Sequence, residues 1–175
     1  VTEFVRNLHD SIQVEKPWVK LSPAALGKYK YGGATGWNGY YVVYQDAALW
    51  FNEGFIEQLT PMHYHWLTGE ELFNFLTLDW EPNIQQGIID GRLYSCGPGS
   101  YRLDENNVWS NHVGIVERLR DKSWVDGYQF FSYGTWRDYN YWDEAGSKFF
   151  KSKVKVREIY LGLSLIHISE PTRPY

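Results

Sequence analysis

Apolar and polar positions alternate in short stretches along most of the chain, and residues that favour turns break the stretches apart. Only the start differs: Phe4, Val5, Leu8 and Ile12 recur at near-helical spacing, which predicts a short helix over Phe4–Val14. From Trp18 onward the pattern reads as extended. Tyr40–Phe51 is rich in Tyr, Val and Trp, which suit a buried strand. Further strands are predicted over Phe55–Leu59, His63–Trp66, Leu72–Leu78, Gly87–Cys96, His112–Leu119, Gly127–Trp136 and Lys153–Leu161. Between them stand Gly32-Gly33, Pro61, Pro82-Asn83, Asp90-Gly91, Gly97-Pro98-Gly99 and Asp126-Gly127, all turn formers. Many short strands with almost no helix predict an all-β sandwich or barrel in a single domain.

Composition agrees with a compact domain and adds one unusual feature. The 175 residues are 43% apolar, and 18% are aromatic, with 9 Trp, 14 Tyr and 9 Phe. No apolar run approaches the ~18 residues of a membrane span. The net charge of −4 gives no overall basic surface, so neither a nucleic-acid nor a membrane partner is expected. The lone Cys96 has no intramolecular disulfide partner and the first residues do not resemble a signal peptide, so a cytoplasmic location is expected.

The stretch Leu163–Arg173, Leu-Ser-Leu-Ile-His-Ile-Ser-Glu-Pro-Thr-Arg, resembles the in-frame translation of a transposase adapter used in preparing sequencing libraries. The expected domain therefore covers residues 1–162, and residues 163–175 are an adapter-derived tail. His167 in that tail is not counted as a ligand.

The chemistry gathers in two segments. In a strand, residues i and i+2 share a face, so His63 and His65 would project together about 7 Å apart at the Cα level. Two imidazoles so placed can each reach a metal at ~2.0–2.2 Å. Glu70, or its neighbour Glu71, would follow a turn at Leu67–Gly69 and return a carboxylate to the same point. The second segment, Cys96-Gly97-Pro98-Gly99-Ser100-Tyr101, leads to His112. Imidazoles with one carboxylate suit iron, manganese, nickel, copper or zinc. The rings of Tyr40, Tyr44, Trp50, Tyr64, Trp66, Tyr94, Tyr101, Phe131 and Tyr133 would form the core, a subset facing the pocket.

His63-x-His65, Glu70 and a later His112 resemble the metal-binding pattern of the cupins. Pro61–His65 with Glu70–Phe73 is similar to the first cupin motif, and Gly97–Tyr101 with His112 to the second. Pro17–Leu21 and Gly127–Phe131 are similar to the subgroup that includes the cupin domain of ChrR anti-sigma factors and the acetylacetone-cleaving dioxygenases. The sequence departs from the pattern where the glycine turn after the first motif and the Pro and Gly before the last His are missing. The resemblance implies a small antiparallel jelly-roll β-barrel, with the short helix at its start, often paired into a homodimer. It implies a divalent metal, Fe(II) foremost, held by His63, His65, Glu70 and His112.

Three functions follow from that resemblance and the site chemistry. The first is a metal-dependent dioxygenase acting on a small carbonyl, enolisable or aromatic substrate. The second is a non-redox metal-dependent lyase or isomerase, with Tyr64 or Tyr101 as base and Glu70 a further acid–base group. The third is a ligand-sensing module. All three take a small molecule as partner.

Overall fold

The structure is a computed structural model and describes residues 1–150. The strand expected over Lys153–Leu161 and the tail with His167 lie outside the described residues. One small sheet organises the rest. Strands β1 (Gln58–Leu59) and β2 (Met62–His63) are successive parts of one extended run, and both pair in parallel with β3 (Leu93–Pro98). Gln58 lies opposite Leu93 and His63 opposite Pro98. On the far side of β3, β4 (Gly127–Tyr128) pairs in parallel, Gly127 opposite Ser95.

Residues 21–26 flank β2 on its other side. A parallel bridge joins Leu26 to Met62, and the amides of Thr60 and Met62 donate to the carbonyls of Pro23 (3.3 Å) and Ala25 (2.8 Å). The spatial order of the extended runs is therefore their order along the chain. Parallel neighbours need crossover connections, and helices supply them.

The α-helices, of which α2–α7 lie between the extended runs, are α1 (Thr2–Glu15), α2 (Gly39–Val42), α3 (Ala47–Glu53), α4 (Gly69–Phe75) and α5 (Gln85–Ile89). They continue with α6 (Ser100–Glu105), α7 (Asn111–Leu119), α8 (Tyr133–Asp138) and α9 (Trp142–Lys148).

The expected all-β jelly-roll barrel is thereby overturned: the described residues are 51% helical and 10% strand, and their sheet is small and parallel. The physical reason lies in the segments misread as strands. In Leu72–Leu78, the buried Leu72, Phe75 and Leu76 are spaced at i, i+3 and i+4, one face of a helix. Thr68 caps that helix: its side chain accepts from the Glu71 amide at 3.3 Å, while Glu71 Oε2 accepts from the Thr68 amide at 3.1 Å. This reciprocal capping box satisfies two otherwise orphaned donors. Likewise His112, Ile115, Val116 and Leu119 are buried along one face of α7.

The helix expected over Phe4–Val14 falls within α1.

The two faces of the sheet differ. Leu59, His63, Tyr94 and Cys96 are fully buried and belong to, or abut, the main aromatic and aliphatic core. The alternate positions are polar: Gln58 Nε2 donates to Ser95 Oγ (3.0 Å) and Thr60 Oγ1 (3.3 Å), and Ser22 and Thr60 share a hydroxyl contact at 3.4 Å.

The main core packs Trp80, Tyr94, Phe51, Leu72 and Ile56, with fully buried apolar side chains of this size contributing about 1.5–3 kcal/mol each. A second cluster holds Val116, Trp136, Tyr141 and Phe149. Part of the aromatic excess thus fills two cores, while Trp18, Trp37, Tyr44 and Tyr133 are among the rings left exposed.

Close approach dictates glycine at two places. A Cβ on Gly27 would stand 2.2 Å from the Met62 carbonyl oxygen, and one on Gly69 would stand 2.3 Å from that of Gly114. The first lets the chain leave the sheet edge tightly; the second lets α4 lie directly on α7.

Candidate functional site

Parallel strands deliver their following loops to one edge, the carboxyl edge, where the chain turns back into helices. Here each extended run delivers chemistry to that edge. Residues 21–26 lead to Gly27 and Lys28, with Trp37 further along the loop. β2 leads to Tyr64 and His65, β3 to Tyr101 and Arg102, and β4 to Phe131. A cavity of about 410 Å³ lies among Lys28, Trp37, Met62, Tyr64, His65, Tyr101 and Arg102, floored by Leu26 and Gly27.

Its walls are pre-positioned. Tyr64 stacks on Phe131 with ring centroids 5.5 Å apart and meets Tyr101 edge-on at 5.7 Å. Asp79 and Trp80 hold the loop that carries Lys28. The Asp79 carboxylate accepts from the amides of Tyr29 (2.7 Å) and Lys30 (3.0 Å), and Trp80 Nε1 donates to the Gly27 carbonyl at 2.7 Å. Burial pushes the Asp79 carboxyl up, against the pull of those amides. Its two charge-assisted bonds fix the backbone immediately after Lys28.

Two titratable groups in the cavity are shifted from their ordinary values. Burial lowers the pKa of His65, and the charges of Lys28 and Arg102 lower it further. The imidazole is therefore neutral at neutral pH, with one nitrogen ready to accept a proton. Tyr64 is raised, first by burial and then by Tyr101, so it keeps its proton and serves as a hydrogen-bond donor.

The residues expected to hold a metal part company. His65 lines the cavity, whereas His63 is fully buried beneath the sheet. Its Nδ1 accepts from the Gly97 amide (3.4 Å), and its Nε2 faces the Tyr94 hydroxyl at 3.3 Å. Adjacent residues in strand geometry alternate faces, but the chain turns after His63, and His65 is carried to the exposed edge.

His112 sits in the second core. Its Nδ1 donates to the Trp109 carbonyl (2.6 Å), leaving Nε2 to accept from Ser100 Oγ (2.8 Å), which in turn accepts from Trp136 Nε1 (2.8 Å). Glu70 lies exposed in the first turn of α4, ion-paired with Arg118 at 2.7 Å and accepting from Asn74 at 3.1 Å. The Arg118 guanidinium holds its carboxyl below the usual range.

Among the described residues, no group of three or more His, Cys, Asp or Glu is arranged to hold a metal ion. The donor set His63, His65, Glu70 and His112 does not fit a shared metal, because each of His63, Glu70 and His112 is committed to other partners. Of the expected acid–base residues, Tyr64 and Tyr101 meet at the cavity and Glu70 does not.

Lys28, Trp37 and Arg102 were not singled out by sequence pattern. Lys28 and Arg102 are marked only by lying within a few residues of an extended run's carboxyl end, and Trp37 only by the loop that follows such an end; both signals are legible only once the runs are known to be parallel. No protein-family model matches the chain, and no curated protein matches it. Among the described residues, no helix is long and apolar enough to cross a membrane.

Proposed function

We propose that the chain binds a polar, ring-shaped small molecule, best matched by a saccharide, in the carboxyl-edge cavity, and that His65 acts there as the acid–base group of an enzyme. The observation that carries this reading is the convergence of Lys28, Tyr64, His65, Tyr101 and Arg102, from three different strand ends, on one cavity. Catalytic groups drawn from several strand ends are the usual construction of parallel α/β enzymes. The walls present aromatic faces beside hydroxyl, imidazole and cationic groups. That combination suits a ligand with an apolar ring face and a hydrogen-bonding rim.

The neutral imidazole of His65 favours proton transfer, with Tyr64 donating a hydrogen bond to the oxygen that gains charge. This retains the lyase or isomerase class of chemistry without routing it through a metal. A reducing compartment such as the cytoplasm suits the buried free thiol of Cys96.

Ligand binding tests the proposal. A panel of methyl glycosides and small aromatic alcohols titrated by calorimetry should contain binders in the range of about 1 μM to 1 mM. Trp37→Ala combined with Tyr64→Ala should weaken binding by about tenfold or more, as loss of ring contacts at a stacked site does. Binders whose affinity ignores both substitutions would place the site elsewhere and defeat the proposal.

A further inference from the structure

We propose that the cavity selects a ring compound bearing a carboxylate, with the ring stacked on Trp37 and Tyr101 and the carboxylate held between Lys28 and Arg102. This deepens the proposed binding site and rests on it.

The chain as a whole is acidic, with a net charge of −4. The cavity runs against that average: Lys28, His65 and Arg102 line it, and no acidic side chain does. Lys28 forms no ion pair among the described residues; its ammonium lies 6.0 Å from the centre of the Tyr31 ring. Arg102 is paired with Glu105 at 2.6 Å, but both side chains are about half exposed. An exposed pair three residues apart on one helix is weak, and a carboxylate arriving within the cavity competes with it readily.

The two cations act on a third group, since their charges add to burial in lowering the pKa of His65. Their fields therefore overlap inside the cavity. A bound carboxylate would relieve that field. The planar guanidinium can meet both carboxylate oxygens at once, while the ammonium serves as a point charge.

The rings specify what must carry the carboxylate. Trp37 is 62% exposed and makes no ring contact among the described residues, so its indole face is open. Tyr101 also lines the cavity, with the rings of Tyr64 (5.7 Å) and Phe131 (6.0 Å) nearly perpendicular to its own. A simple anion such as acetate would use the charges and leave both faces bare. Uronic acids and aromatic carboxylates share the chemistry that uses both.

The test compares matched pairs by calorimetry near neutral pH: methyl glucuronide against methyl glucoside, and benzoate against benzyl alcohol. The anionic member of at least one pair should bind about tenfold more tightly. The pair that shows the preference tells which source supplies the ring. Raising salt from about 0.05 M to about 0.5 M should shrink that preference, because exposed charges are screened. In the Lys28→Gln, Arg102→Gln double variant the preference should vanish, so that the charged and neutral members bind alike.

Equal binding of charged and neutral members, or a preference that survives the double variant, overturns the charge selection and leaves the binding site standing. If no member of either pair binds, both the selection and the site reading fail.

Discussion

The imidazole of His63 is fully buried, and burial alone lowers its pKa from 6.5 to about 3. Protonation therefore favours the unfolded chain. Its contribution is fully present above about pH 6.5 and is lost as pH falls toward 3, with a slope of about 1.4 kcal/mol per pH unit. His112 is also lowered by burial and acts in the same direction. Urea unfolding at several pH values should show stability falling below pH 6.5, and His63→Gln should flatten the slope by about one proton's worth. An unchanged slope in that variant would mean that His63 is not buried as described. His63 and His112 were singled out because imidazoles bind metals, yet both serve as hydrogen-bonding members of aromatic cores. Nothing in a His-x-His spacing says whether the chain stays extended past the first imidazole, and here it does not.

At the scale of elements, α4 and its seat on α7 decide the fold of the central segment. Thr68-Gly69-Glu70-Glu71 carries the capping-box signature in plain view, followed by apolar residues at helical spacing. Reading Glu70 as a ligand on a returning strand passed over that signature. Thr68→Ala should cost about 1 kcal/mol, the usual worth of an N-cap. Gly69→Ala should cost about 1–3 kcal/mol, because its methyl would overlap the Gly114 carbonyl and push the helices apart. Thermal or urea unfolding measures both; a neutral Gly69→Ala would contradict the close packing of α4 on α7. Turn formers were legible only in part. Asp90-Gly91 does stand in a turn before β3, whereas Gly97 and Pro98 belong to β3 itself and Gly127 to β4. With strands of two to six residues, alternation has too little length to distinguish a parallel strand from the first turn of a helix.

Across the whole molecule, parallel strands in chain order gather the loops that follow them on one edge. Tyr64, His65 and Tyr101 were recognisable as candidates from sequence, and the parallel arrangement gives them a common cavity. Lys28, Trp37 and Arg102 join them through topology alone. The polar opposite face of the sheet, with Gln58, Thr60 and Ser95 bonded to one another, takes no part in that cavity. The aromatic richness of the chain thus divides into two buried cores and an exposed rim around a cationic cavity. On the proposed reading, ligand and protein meet at this carboxyl edge. Mapping amide and indole chemical shifts during titration with methyl glucuronide, methyl glucoside, benzoate and benzyl alcohol tests it most directly. The account predicts that saturable shifts concentrate at Lys28, Trp37, Tyr64, His65, Tyr101 and Arg102 and leave His63, Glu70 and His112 unmoved. Shifts centred on His63, Glu70 and His112, or no saturable shift with any of the four, would contradict it.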